Sequence, residues 1–215
     1  MKPAGFPALF FLCPLLLLSG CAGLPARTPE DAARAWAARQ QALAALVAWD
    51  IRGRIALRSH DEGVQATLHW ARDGERHRIS LVGPLGSGQV RLTQDGTGAE
   101  LRDAEQKRYH GRTARELLAR TTGWDVPLEN MNWWVLGLPV PEVVSERELD
   151  AAGRLASLTQ LGWEIEFIEY RRYGAHELPS TLFLRRRENN VAGQGLNHVT
   201  VEVRVAIERW TLPGG

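Results

Sequence analysis

Trp49-Asp-Ile-Arg-Gly-Arg-Ile-Ala-Leu-Arg58 decides the fold class. From Ile51 onward apolar and charged residues alternate: Ile51, Gly53, Ile55 and Leu57 fall on one face, Arg52, Arg54 and Arg58 on the other. A period of two is that of a strand with one face buried and one in water. The next run, Val64 to Ala71, repeats it with Val64, Ala66, Leu68 and Trp70, and Ser59-His-Asp-Glu-Gly63 between the two is a turn. Two alternating runs joined by a short polar turn predict an antiparallel hairpin.

The pattern continues toward the C-terminus. Arg78 to Val82 and Gly88 to Thr93 are short strands joined by Gly83-Pro-Leu-Gly-Ser87, and Asp95-Gly-Thr-Gly98 turns the chain into Ala99–Arg102 and Lys107–Tyr109. Strands resume at Arg154–Leu161, Trp163–Tyr170, Leu178–Arg187 and His198–Trp210. Helices are expected in two places. Pro29 to Ala48 is alanine-rich, with Thr28 as N-cap, Pro29 at the first helical position and Trp36, Leu43, Leu46 and Val47 near one face. Thr113-Ala-Arg-Glu116 reads as a capping box for a helix to about Thr121, ended by Gly123, and Pro127 to Leu136 reads as a second short helix stopped by Gly137 and Pro139. The expected architecture is mainly β with helices (α+β): ten or eleven antiparallel strands in a single sheet. A sheet that wide must curl. Its apolar concave face, partly roofed by helices, would enclose a lipid-sized hydrophobic cavity.

The N-terminus has a different character. One cation at Lys2 precedes the apolar run Leu9 to Leu18, about half the ~20 residues of a spanning helix, with Pro14 inside it. The run ends in Leu18-Ser19-Gly20-Cys21: an aliphatic residue, two small residues and a thiol. That is the form of a bacterial lipobox, in which the leader is cut before the cysteine and the thiol accepts a diacylglyceryl group. An ordinary signal peptide with a chance cysteine, or an uncleaved anchor, are the alternatives. The expected division is a leader over 1–20, a lipidated end and tether over 21–29, and one domain over 30–215. The proline-containing segment 22–29 can reach roughly 28 Å when extended. Diacylation plus N-acylation supplies the two or more chains that stable anchoring requires. Ala22-Gly23 lacks the aspartate after cysteine that retains enteric lipoproteins in the inner membrane, so an outer-membrane location is expected.

The chain has two cysteines, Cys13 and Cys21. Cleavage discards one and lipidation uses the other, leaving neither thiol catalysis nor a disulfide. With 26 basic and 25 acidic residues the charge is balanced, which argues against nucleic acid and against purely electrostatic binding to anionic lipid. No catalytic constellation stands out. Gly83 to Gly88 has the spacing neither of a nucleophile elbow nor of a phosphate-binding loop, and His176-Glu177 lacks a second histidine for zinc. Neither an enzyme nor a metal or cofactor site is expected, and the protein is expected to act as a monomer.

Two apolar features remain. Trp133-Trp134, followed by Val135, Leu136 and Leu138, is more than a short helix buries easily on one side. Cavity lining and core packing are both open for these tryptophans. The candidate lining is Leu68, Trp70, Leu81 and Trp163 from the strands with Trp134 and Leu136 from the helix; one register slip would reverse the strand choice. Leu85 is the large side chain of a loop tip flanked by Pro84 and Gly86. It either folds back on the sheet or protrudes as an apolar finger toward a bilayer or partner.

Four features in order carry a family resemblance: the lipobox ending at Cys21, the strand Arg52-Gly53-Arg54-Ile55-Ala56, the turn Pro84-Leu85-Gly86-Ser87 and the helix Trp134-Val135-Leu136-Gly137-Leu138-Pro139. The chain resembles the outer-membrane lipoprotein receptor family, LolB, over nearly all of its mature length. Gly83 departs from the asparagine found there in the family. The resemblance implies an unclosed β-barrel with a helical lid over a hydrophobic cavity. It implies receipt of client lipoproteins, through their acyl chains, from the periplasmic carrier LolA, and their insertion into outer-membrane lipid with Leu85 as the membrane-inserting residue. A structural or assembly lipoprotein and a lipid-modifying enzyme are the rival readings.

Overall fold

The computed structural model describes residues 28–59, 62–86, 88–187 and 199–213. The leader, Cys21 and the tether as far as residue 27 lie outside the described residues, as does Ser87 of the Pro84 turn.

The chain opens with helix α1 (Pro29–Ala44). The Thr28 hydroxyl accepts from the backbone N–H of Asp31 at 3.2 Å, and the Asp31 carboxylate accepts from the N–H of Thr28 at 3.0 Å. This reciprocal cap, with Pro29 in the first turn, fixes where the helix begins. It ends four residues earlier than the alanine content suggests. The carbonyl of Val47 accepts from the N–H of Gly74 at 2.9 Å, so the backbone there already belongs to the first hairpin. Trp36 and Leu43 are buried as expected; Val47 is exposed.

Eleven strands follow: β1 (Ala48–Ser59), β2 (Glu62–Asp73), β3 (Arg76–Val82), β4 (Gln89–Asp95), β5 (Gly98–Arg102), β6 (Arg108–Gly111), β7 (Ser145–Leu149), β8 (Leu155–Gln160), β9 (Trp163–Tyr173), β10 (His176–Arg187) and β11 (Val199–Thr211). They form one antiparallel sheet in the order β6-β5-β4-β3-β2-β1-β11-β10-β9-β8-β7. The first and last strands thus meet at the middle, where β1 pairs with β11. The outer edges β6 and β7 do not pair with each other, so the curled sheet stays open. Both edges are short, which limits unwanted pairing. Strand β7 went unread in the sequence: it is an edge strand with little buried on either face, so Ser-Glu-Arg-Glu-Leu shows no apolar alternation.

The faces follow the period-two reading. Ile51, Ile55, Leu68, Trp70, Ile79, Leu92 and Leu101 are buried on the concave side. Gly53 sits where β1 and β11 shift register by one residue; a Cβ there would lie 2.0 Å from the carbonyl oxygen of Ala206. That close approach requires glycine between the two arginines.

Two short helices interrupt the strands between the edges. Helix α2 (Ala114–Thr122) is capped by the Thr113 hydroxyl on the N–H of Glu116, and Gly123 ends it at φ 75°. The Glu116 carboxylate accepts from Arg112 N–H instead of completing the expected box at Thr113. Helix α3 (Leu128–Trp134) has no side-chain cap, and seven residues are too few to be stable alone. Its packing explains it: Met131 and Trp134 are almost wholly buried.

Candidate functional site

One half of the concave face is filled by the protein's own side chains. Trp134 enters from α3 and packs on Trp163 of β9, ring centroids 6.3 Å apart. Helix α1 lies along the same half, with the Arg39 guanidinium donating to the carbonyl of Glu177 and lying 5.2 Å from the ring centre of Tyr170.

The other half holds a cavity of about 270 Å³. Its sheet wall comes from Ile55 and Leu57 of β1, Val64, Ala66, Leu68 and Trp70 of β2, Ile79 and Leu81 of β3, Val90 and Leu92 of β4, and Val205 of β11. Its roof is Leu118 and Thr122 of α2, Trp124 and Val126 of the connection, Leu128 and Met131 of α3, and Val135 at the C-terminal end of that helix. The wall is almost entirely apolar.

Leu68, Trp70 and Leu81 stand in this lining. Trp134, Leu136 and Trp163 do not, and the expectation for them is corrected. Leu128, Met131 and Val135, spaced three and four apart, occupy the helix face over the cavity. Trp134 is rotated off that face into the filled half, with Trp163 beneath it, and Leu136 is completely buried outside the lining. Trp133 lies under the guanidinium of Arg72, 5.8 Å from the ring centre.

The cavity has a closed and an open end. At the closed end Trp49, Trp70 and Trp210 pack edge-on, at 5.2 and 5.6 Å between centroids. The indole N–H of Trp70 donates to Nδ1 of His77 at 3.2 Å. Burial, with a smaller push from Arg72, lowers the His77 imidazole to about 4. The ring is therefore neutral at pH 7 and its Nδ1 free to accept. At the other end Leu57, Ala66, Leu81 and Val90 are only half-buried and Val64 is exposed. Gly83 and Gly88 complete that rim.

The turn between these glycines carries Leu85. Pro84–Gly86 forms a single 3-10 turn in which Leu85 has φ 55° and ψ 22°. The left-handed region costs an L-residue roughly 1–2 kcal/mol. Leu85 is fully exposed and covers none of the core. An apolar side chain therefore stands in solvent, on a strained backbone, at the mouth of an apolar cavity.

Polar contacts tie the roof down. The Asp125 carboxylate is shared between Arg115 of α2, at 2.7 Å from its Nη2, and Arg186 of β10, at 2.5 Å. Hydrogen bonding from Arg115, reinforced by Arg186, lowers this carboxyl to about 2. On the other side Gln160 of β8 accepts from Trp134 Nε1 at 3.2 Å and from the N–H of Val140 at 2.9 Å. Neither Gln160 nor Asp125 was singled out in the sequence, where each is an isolated polar residue without a motif.

The sequence model of the family described as "Outer membrane lipoprotein LolB" matches residues 47–210. The chain belongs to the LolB family. A relative named Outer-membrane lipoprotein LolB from Pseudomonas aeruginosa (strain LESB58) is 38% identical over 180 residues, covering 82% of this chain and 88% of that protein. A second of the same name, from Pseudomonas putida (strain GB-1), is 35% identical over the same shares. The LolB-family match spans β1 to β11 and so takes in the cavity, its roof and the Leu85 turn. Among solved structures, a DUF1329 family protein from Desulfovibrio piger superposes with a TM-score of 0.51 over 86% of this chain and 93% of its own, at 7% identity. That likeness concerns the fold alone. The family model and both relatives carry the description outer-membrane lipoprotein. Among the described residues no helix is long and apolar enough to cross a membrane.

Proposed function

We propose that this protein is anchored in the outer membrane through acylated Cys21, on its periplasmic face, accepts lipoproteins from the carrier LolA, holds their acyl chains in the cavity, and releases them into the bilayer. The observation that carries this reading is the pairing of an apolar cavity with an exposed leucine at its rim. Each methylene of an acyl chain brought into water costs ~0.8 kcal/mol, so release into solvent is prohibitively slow. Transfer from mouth to mouth avoids that barrier. Direction then follows from successively tighter binding, in the carrier, in this cavity and in the bilayer, and calls for no nucleotide. Leu85 acts at the last step by entering the acyl region beside the rim.

The test is reconstitution. Carrier loaded with a lipidated client is mixed with this protein, first without and then with vesicles. The reading predicts loss of client from the carrier in the first stage and its recovery in vesicles in the second. A protein that takes no client from the carrier would instead be an assembly or structural lipoprotein.

A further inference from the structure

The convex face of the sheet carries a charge pattern that the balanced total conceals. In the antiparallel register Arg91 of β4 stands directly opposite Arg102 of β5, and Arg102 directly opposite Arg108 of β6. Cβ atoms of such pairs are ~5 Å apart, and like charges in that relation are destabilising. Their neighbours Leu92, Leu101 and Tyr109 face the concave side, so the three guanidinium groups share the outer face. None of the three forms an ion pair among the described residues. Further along the same transverse row, Arg52 and His69 both meet the carboxylate of Asp50. Along this row compensation is therefore present in mid-sheet and absent at the edge, where the neighbouring Glu100 faces His110 at 3.9 Å.

The uncompensated stretch lies beside the Leu85 turn. β4 leaves that turn, and the turn joining β5 to β6 reaches the same rim: a Cβ on Gly88 would touch the Ala104 side chain at 3.0 Å. Lys107 in the second turn adds a fourth cation, stacked on Tyr109. Of the two carboxylates there, Asp103 is occupied by its own turn, accepting from the N–H of Lys107 and from the Tyr109 hydroxyl. Glu105 is exposed.

We propose that Arg91, Arg102 and Arg108 form a row that binds the phosphodiester headgroups of an anionic bilayer surface, setting the angle at which Leu85 meets the membrane. This rests on the reading of the Leu85 turn as the part that enters lipid. Guanidinium groups are suited to phosphate oxygens, and their placement within a few residues of an apolar finger matches the stacking of headgroup above acyl chain in a bilayer. The mutual repulsion of the row is relieved when phosphates lie between its members.

The test uses the mature chain carrying Cys21→Ala, so that no acyl anchor masks weak binding, in flotation with vesicles of phosphatidylcholine alone or mixed with phosphatidylglycerol. Arg91→Gln/Arg102→Gln/Arg108→Gln should lose on the order of a hundredfold in partitioning onto the phosphatidylglycerol vesicles, the loss of three cations each contributing about 1 kcal/mol near the surface. Its binding to pure phosphatidylcholine should be unchanged and its melting temperature equal or higher. Lysine at all three positions should restore most of the binding, and raised salt should erase the difference. Equal binding of parent and glutamine variant to phosphatidylglycerol overturns the proposal. So does a glutamine variant that keeps this binding but no longer accepts client, since the row would then be a protein-docking surface. If the parent accepts no client yet loses phosphatidylglycerol binding with the arginines, the transfer reading fails and the headgroup row stands.

Discussion

The indole N–H of Trp134 donates to Oε1 of Gln160 at 3.2 Å, joining the cavity roof to the strand on the far side of the sheet. The same amide also donates to the carbonyls of Val140 and Val143, at 3.0 and 3.1 Å, and accepts from Val140 N–H. Gln160 is almost completely buried, so its loss strands several polar groups at once. Gln160→Leu should therefore cost about 3 kcal/mol, lowering the melting temperature by roughly 6–12 °C. Trp134→Phe, which keeps most of the ring and removes one donor, should cost distinctly less. Thermal melts of the two variants side by side check the ranking; equal effects would show that the ring alone holds the roof.

Leu85 should separate acceptance from delivery. Being fully exposed, it loses no buried contact in Leu85→Glu, whose melting temperature should match the parent. Acceptance of client from the carrier should persist and insertion into vesicles should fail, because a charged tip is disfavoured among acyl chains. Leu85→Gly should be as stable as the parent or up to about 1 kcal/mol more so, since glycine tolerates φ 55°, and should also deliver poorly. A strongly destabilised Leu85→Glu protein, or a stable one that inserts normally, removes the finger from the mechanism.

Filling the cavity should abolish occupancy without unfolding the domain. Ala66 lines the half-buried part of the wall, where extra volume can displace probe rather than backbone. Ala66→Trp should weaken binding of an apolar fluorescent probe at least tenfold, by order of magnitude of the apolar area withdrawn. Leu136→Glu should behave differently. Leu136 is completely buried outside the lining, so a carboxylate there attacks the fold itself. Fluorescence titration and circular dichroism on both variants distinguish the two effects.

The closed end should be acid-sensitive. His77 titrates near 4 in the folded protein, below the usual 6.5. The unfolded chain thus binds the extra proton first, and stability falls as pH drops from about 6.5 toward 4, with no change above that window. Protonation at Nδ1 also ends the bond from Trp70. His77→Gln should flatten this part of the profile in urea titrations across pH. Asp125 answers in a separate, lower window. Held near 2 against 3.8, its contribution is complete above the ordinary carboxyl value and is lost only as pH falls through about 2. A His77→Gln protein with an unchanged slope between pH 6.5 and 4 would relocate the effect.

The sheet was legible because most of its strands have one wet and one dry face, so Ile51 to Leu57 and Val64 to Trp70 carry a period of two that needs no tertiary information. β7 was not, because an edge strand in water on both faces has no such period. That Leu85 belongs to a loop was legible from its flanking breakers; whether it folds back or protrudes was not, because Pro84 and Gly86 suit either course. The direction of α3 was not: in Trp133-Trp134-Val135-Leu136 every residue is apolar, so periodicity assigns none of them to the cavity. Only the register of the helix on β8 and β9, set by Gln160 and Trp163, turns Met131 and Val135 toward the empty half. The roof ties at Asp125 and Gln160 join residues 61 and 26 apart, a relation that no local pattern expresses.

The central claim is that a client's acyl chains occupy the cavity beneath α2 and α3. It is tested most directly by photocrosslinking. A client lipoprotein bearing a diazirine on one acyl chain is passed from the carrier to this protein, irradiated, and the adducts located by peptide mass spectrometry. The account predicts adducts on Leu68, Leu81, Val90 and Met131, lost in Ala66→Trp. Adducts confined to the convex face, at residues such as Arg54 or Phe183, would contradict it.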